Sequence, residues 1–398
     1  MTATPGPLFN LALASISLTG PLVVHVFMPV IPAVKADLAL SEATAQLTFS
    51  VALLGMALAP LVYGPLSDRY GRRPLLLSGL SLFLAGSLVS AAAGSLTTLV
   101  AGRLTQAIGA GCGVTLVRTI AADVYGPSRL IKVIAYLTMF YTSGPMISPM
   151  VGGLLIDLLG WRSVFAFALL LGGVIWAGAY FAIFESRPAG VIAQSSESLL
   201  RGYLALLARA RFTGFVLQTG FCTGTFLATA TAAASLMKEL LDRPATEFGF
   251  YFLLFPFGFL SGNFISSRIG GRVANETMVL AGSILCLAAV VAQCGLFWSG
   301  HVTPLALFAP GFFITLAQGI SLPYSQAGAM LTNPQLAGTA AGIGVFVQNL
   351  CGAAFAQLYG LLADGTLAPL MITTSTSALL GLVAAAVPFT LVQLGDRK

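Results

Sequence analysis

The chain has 398 residues, of which 57% are hydrophobic and only 8% charged, with a formal net charge of +6. Soluble globular chains carry roughly 45–50% apolar and about 25% charged residues, so a soluble fold is excluded. The basic excess then reads as topology and contact with anionic lipid headgroups, with no nucleic-acid role. A helix needs about 20 apolar residues to cross roughly 30 Å of hydrocarbon. Such runs fall near residues 8–31, 44–63, 75–94, 98–121, 133–156, 163–184, 212–236, 248–267, 276–297, 304–326, 337–361 and 367–392. The expectation is an all-α integral membrane protein of twelve spans.

The opening "MTATPGPLFN" has no basic residue, and the run behind it precedes further spans, so the first helix is expected to be retained rather than cleaved. Its segment "HVFMPVIP" places His25 within the first span, and Asp37 lies just beyond it. Between the second and third runs stands "GPLSDRYGRRP", Gly64 to Pro74, the densest cluster of charge in the chain. Gly64 and Gly71 there are expected to allow a tight turn and close helix approach.

Span four carries Arg103 and Gln106 and ends near Asp123; span five contains "SGPMISPMVGG", with Gly144, Pro145, Pro149, Gly152 and Gly153. The longest break, Glu185 to Phe212, divides the chain into six-span halves, 1–186 and 212–398, joined by a linker over 187–211. The charge cluster has a worn counterpart half a chain later. Arg69-x-Gly71-x-Arg73 maps onto Arg268-x-Gly270-x-Arg272 in "SSRIGGRV", which predicts a duplicated six-helix unit.

Basic residues of short loops stay on the cytoplasmic side. Taking even-numbered loops as inside puts Arg69, Arg72, Arg73, Arg118, Arg129, Lys132, Arg187, Arg201, Arg209, Arg211, Arg268, Arg272, Arg397 and Lys398 at that face, against Lys35, Arg162, Lys238 and Arg243 outside. Both termini are thus expected in the cytoplasm.

Buried charge is costly and marks function. The ionisable groups expected at hydrocarbon depth are His25 and Arg103. All five cysteines lie in predicted spans without metal-ligand spacing, so neither a metal nor another cofactor is expected. Nucleotide-binding and hydrolytic signatures are absent from the sequence as well, which favours a carrier over an ATP-driven pump or an enzyme.

"GPLSDRYGRRPLLL" resembles motif A of the major facilitator superfamily, "GRLTQAIGAG" its motif B, and "SGPMISPMVGG" motif C of the drug:proton antiporter branch. With "MPVIPAVKADL", "RTIAADVY" and "LLGWRSVF", the pattern is similar to the bicyclomycin/chloramphenicol-resistance (Bcr/CflA) type. That resemblance implies two pseudo-symmetric six-helix bundles, the major facilitator fold, in a bacterial inner membrane. It implies export of small amphipathic molecules by alternating access in exchange for protons, by a monomer. A proton-independent facilitator and a proton-coupled importer remain open.

The same resemblance implies roles for single residues. Asp68 would lie against the N-terminus of the eleventh helix, and Arg72 would pair with Asp123, making Gly64, Asp68, Arg69, Gly71, Arg72, Arg73 and Asp123 a conformational latch. The glycines and prolines of motif C would form a dry hinge between the halves. His25 stands where relatives carry an aspartate, so proton coupling would fall to His25 with Arg103 and Asp37. The substrate cavity would be built from Gln106, Phe140, Tyr141, Gln218, Phe221 and Gln318, with Asn10, Gln348 and the aromatic run of span eight as further candidates. A cavity of amides and aromatics without a deep carboxylate suits neutral or weakly anionic amphiphiles.

Overall fold

The computed structural model describes residues 5–187 and 196–395. The expectations for Arg397, Lys398 and the linker stretch 188–195 lie outside the described residues. Among those described, the secondary structure is helical without strands, and twelve helical segments are long and apolar enough to cross a membrane. They are Pro7–His25, Glu42–Tyr70, Arg72–Ala91, Leu96–Tyr125, Tyr136–Leu159, Arg162–Ala182, Ala210–Glu239, Ala245–Ile269, Asn275–Trp298, Pro304–Leu331, Gly338–Leu362 and Ala368–Gln393, here spans one to twelve. Two compact units result, residues 1–40 with 47–194, and residues 41–46 with 195–398.

Span one departs from the continuous run expected over 8–31. It breaks into Pro7–Ile16 and Thr19–His25, and a separate helix Val30–Asp37 follows. Pro21 and Pro29 have no N–H to donate, while the Ser17 and Thr19 hydroxyls donate to Ala14 O (2.6 Å) and Ile16 O (2.8 Å). Side chains thereby take up carbonyls that a regular helix would use.

Spans four and five belong to one unbroken stretch of helical backbone, Leu96–Leu159. It doubles back on itself. The Thr19 hydroxyl reaches Ala110 O (3.3 Å) and the neighbouring Ser17 hydroxyl reaches Leu137 O (3.5 Å), positions that a straight helix would hold about 40 Å apart. Gly126 and Pro127 stand in the returning segment, the residue types at which helices kink.

Small residues set how closely the spans pack, since lipid offers no hydrophobic drive between them. A Cβ at Gly109 would stand 2.2 Å from Phe83 N, so spans three and four meet backbone to backbone. The second unit repeats the device between spans eight and ten, where a Cβ at Gly258 would stand 2.2 Å from Phe312 O. The linker contributes a helix, Ser196–Leu207, whose Leu206 is fully buried against the second unit.

Candidate functional site

The charge cluster after span two is a cross-helix tie. Span two runs to Tyr70, Gly71 turns the chain at φ +100°, and span three starts at Arg72. Gly64 departs from expectation: it lies inside the helix with open space around its Cα, because span two stays helical through Pro60 and Pro65 to Tyr70. The Arg72 guanidinium is buried and donates to Asp123 Oδ2 (3.0 Å), Asp68 Oδ1 (2.5 Å) and the Ser67 hydroxyl. Arg73 donates to the carbonyls of Ile183 (2.7 Å) and Tyr180 (2.8 Å), while Arg187 donates to those of Asp68 (3.1 Å) and Arg69 (2.7 Å). Arg69 itself lies over the ring of Tyr70.

One member of this cluster escaped sequence reasoning. Glu185 accepts from the backbone N–H of Arg72 (2.9 Å), Arg73 (3.2 Å) and Arg187 (2.9 Å), capping the first turn of span three. Burial works to raise its pKa, but the N–H groups of Arg187, Arg72, Arg73 and Ser186 outweigh it and hold the carboxyl below its ordinary value. In the second unit the arrangement is different. The left-handed turn falls at Gly271, span nine starts only at Asn275, and the buried Glu276 pairs with Arg211 of span seven.

Toward the other end of the first unit, Arg103 is 1% exposed. Its guanidinium donates to Thr48 O (3.3 Å), Gln106 Oε1 (2.7 Å) and Val23 O (2.8 Å), and lies 3.9 Å from the centroid of the Phe27 ring. The cation is thus held by carbonyl dipoles, an amide and an aromatic face, with no carboxylate among these partners. Val23 and Phe27 flank His25, so Arg103 grips the backbone and ring on either side of the imidazole. His25 closes the Thr19–His25 segment and is half-buried.

Asp37 lies beyond span one. It accepts from Trp161 Nε1 (3.1 Å) and Arg162 Nη1 (3.0 Å), and these two hydrogen bonds hold its carboxyl below the usual value.

The motif C glycines seat span five on span one. A Cβ at Gly144 would stand 2.3 Å from Pro21 Cβ, and one at Gly152 would stand 2.5 Å from Val26 O. Gly153 and Pro149 are buried nearby and Pro145 half-buried, within a helix that continues through both prolines.

The amides chosen for a cavity are cross-helix ties inside the bundles. Gln106 donates to the Ser87 hydroxyl (2.9 Å), Gln218 to those of Ser283 and Ser321 (both 3.2 Å), and Gln318 to that of Thr223 (3.0 Å); all three are buried. The physical reason is the cost of an unpaired polar group in an apolar interior. Asn10 accepts from the Tyr125 hydroxyl, and Gln348 is half-buried. Phe221 meets Phe355 edge to face at 5.9 Å, and Phe140 is half-buried beside Tyr136 at 5.0 Å. In span eight, Phe248, Phe252 and Phe255 form a core with Phe308, leaving Phe250 and Phe257 exposed. Tyr141 is 38% exposed.

Span four runs four residues past its expected end at 121, to Tyr125, which sets Arg118 about 10 Å inside the helix end.

A family model described as Major Facilitator Superfamily matches residues 11–356. The chain is 29% identical to multidrug resistance protein D of Escherichia coli (strain K12) over 87% of each protein. It is 26% identical to a bicyclomycin resistance protein homolog of Haemophilus influenzae over 95% of each. Among solved structures it resembles a D-xylose-proton symporter, with a TM-score of 0.76 at 15% identity over 95% of this chain and 96% of that one. A bacterial homolog of the human lysosomal transporter Spinster gives 0.72 at 16% identity, covering 96% of both chains. These two likenesses speak for the fold.

Proposed function

Because the chain belongs to the Major Facilitator Superfamily and is a transporter rather than an enzyme, we propose that it exports small amphipathic molecules from the cytoplasm by alternating access, in exchange for protons. It works as a monomer in the bacterial inner membrane with both termini in the cytoplasm. The observation that carries the coupling is the carboxylate-free Arg103 site clasping both sides of His25. With no acid beside Arg103, the imidazole of His25 is the group at this place whose charge can change, from neutral to positive on taking up a proton. The Arg72 cluster serves as the latch that holds the ends of spans two, three, four and six together while the units move.

In proteoliposomes, ethidium efflux is expected to respond to an imposed pH gradient and to lose that response in His25→Ala. A His25→Ala variant with undiminished gradient dependence removes His25 from the coupling. Wild-type transport indifferent to the gradient leaves a facilitator, the reading that the absence of an aspartate at position 25 favours.

A further inference from the structure

From the exposed pair Arg118 and Tyr141 we infer a carboxylate-binding point on the first unit, so that the amphiphiles carried include monoanions. The inference deepens the exporter reading and rests on it for the solute's being cargo.

Spans one, two and five converge on Val114 of span four. A Cβ at Gly20 would stand 2.9 Å from Val114 Cγ2, 3.3 Å from Met56 Cε and 3.6 Å from Tyr141 Cε2. Arg118 is one turn further along the same face. It lies nine residues from Gly109, about half a turn around the helix from the contact with span three. Arg118 and Tyr141 are both exposed there, on the two helix faces that meet at Gly20.

Among the described residues Arg118 makes no hydrogen bond or ion pair. The acids within reach along the chain are committed elsewhere, Asp123 and Asp68 both to Arg72. Asp123 is also about 140° round the helix from Arg118. A planar guanidinium left without an acid and set beside a phenolic O–H offers a carboxylate a bidentate contact plus a third donor. The half-buried Phe140 and exposed Tyr136 give the same stretch of span five an aromatic character suited to the apolar part of such a solute. Arg103 differs in kind, since it is buried and already donates to Val23, Thr48 and Gln106.

The test uses two dyes of one xanthene framework, anionic fluorescein and cationic rhodamine 6G, titrated by fluorescence anisotropy against the full-length protein in detergent. Fluorescein is expected to bind the wild type, to bind Arg118→Gln about tenfold or more weakly, and to recover partly in Arg118→Lys. Rhodamine 6G should not weaken in Arg118→Gln, and Tyr141→Phe should reduce fluorescein affinity alone. An elution profile matching the wild type certifies the fold of each variant. No fluorescein binding by the wild type, or equal affinity in Arg118→Gln, overturns the inference. Gradient-driven efflux of ethidium with no Arg118 dependence of fluorescein binding leaves the exporter reading standing alone. Arg118-dependent fluorescein binding without transport of either dye overturns the exporter reading and keeps the site.

Discussion

Single residues in this chain are costly or cheap according to where their hydrogen bonds end. Removing the Arg103 side chain leaves Val23 O, Thr48 O and the Gln106 amide without their donor in a dry interior, so Arg103→Ala should cost about 3 kcal/mol or more of stability. Thermal unfolding in detergent would show it, with Arg103→Lys between that variant and the wild type. Glu185 gives a pH-dependent counterpart. Its folded pKa is depressed, so its contribution is fully present above the unfolded value of about 4.3 and disappears as pH falls through the lower folded value. Glu185→Gln should therefore melt below the wild type at neutral pH, and the two curves should converge in acid. Arg72 with Asp123 was legible through the motif that resembles a known family's, which carries both charges. Glu185 was not, since its partners are backbone N–H groups that no residue type announces. Gln106, Gln218 and Gln318 announced polarity at depth, but not that the answering hydroxyls lay inside the same bundle.

At the level of helices, contact distance decides. An alanine at Gly109 must push its Cβ against the backbone of Phe83, whereas an alanine at Gly173 meets nothing within 4 Å. Gly109→Ala should lower the melting temperature and the yield of monodisperse protein; Gly173→Ala should match the wild type in both. The twelve spans were readable because hydrocarbon thickness imposes a length on apolar runs. Their interruptions were harder to read. The break in span one depends on Ser17 and Thr19 hydroxyls competing for carbonyls, and serine and threonine sit elsewhere in these spans without breaking them, as Thr229 does in span seven. The same limit hid the four residues by which span four runs past its expected end, beyond Arg118.

The described residues hold twelve candidate spans in two compact units, and the chain's orientation is the property that a charge count predicts best. Alkaline phosphatase fused after Gly395 should be inactive, and fused at Arg162 active; the reverse pattern would invert the proposed topology. Pro, Gly, Ser and charge gather in one place between the expected halves, whereas the worn repeat conceals that the acid of the second unit, Glu276, sits on span nine and finds its cation on span seven. One feature of the first unit bears on how such a molecule moves. The connection between spans four and five stays in helical backbone conformation and does not open into a loop. Gly144 and Gly152, which rest on span one, are therefore joined to Arg103 and Arg118 without a loop's slack, and a displacement of span four is expected to reach that contact.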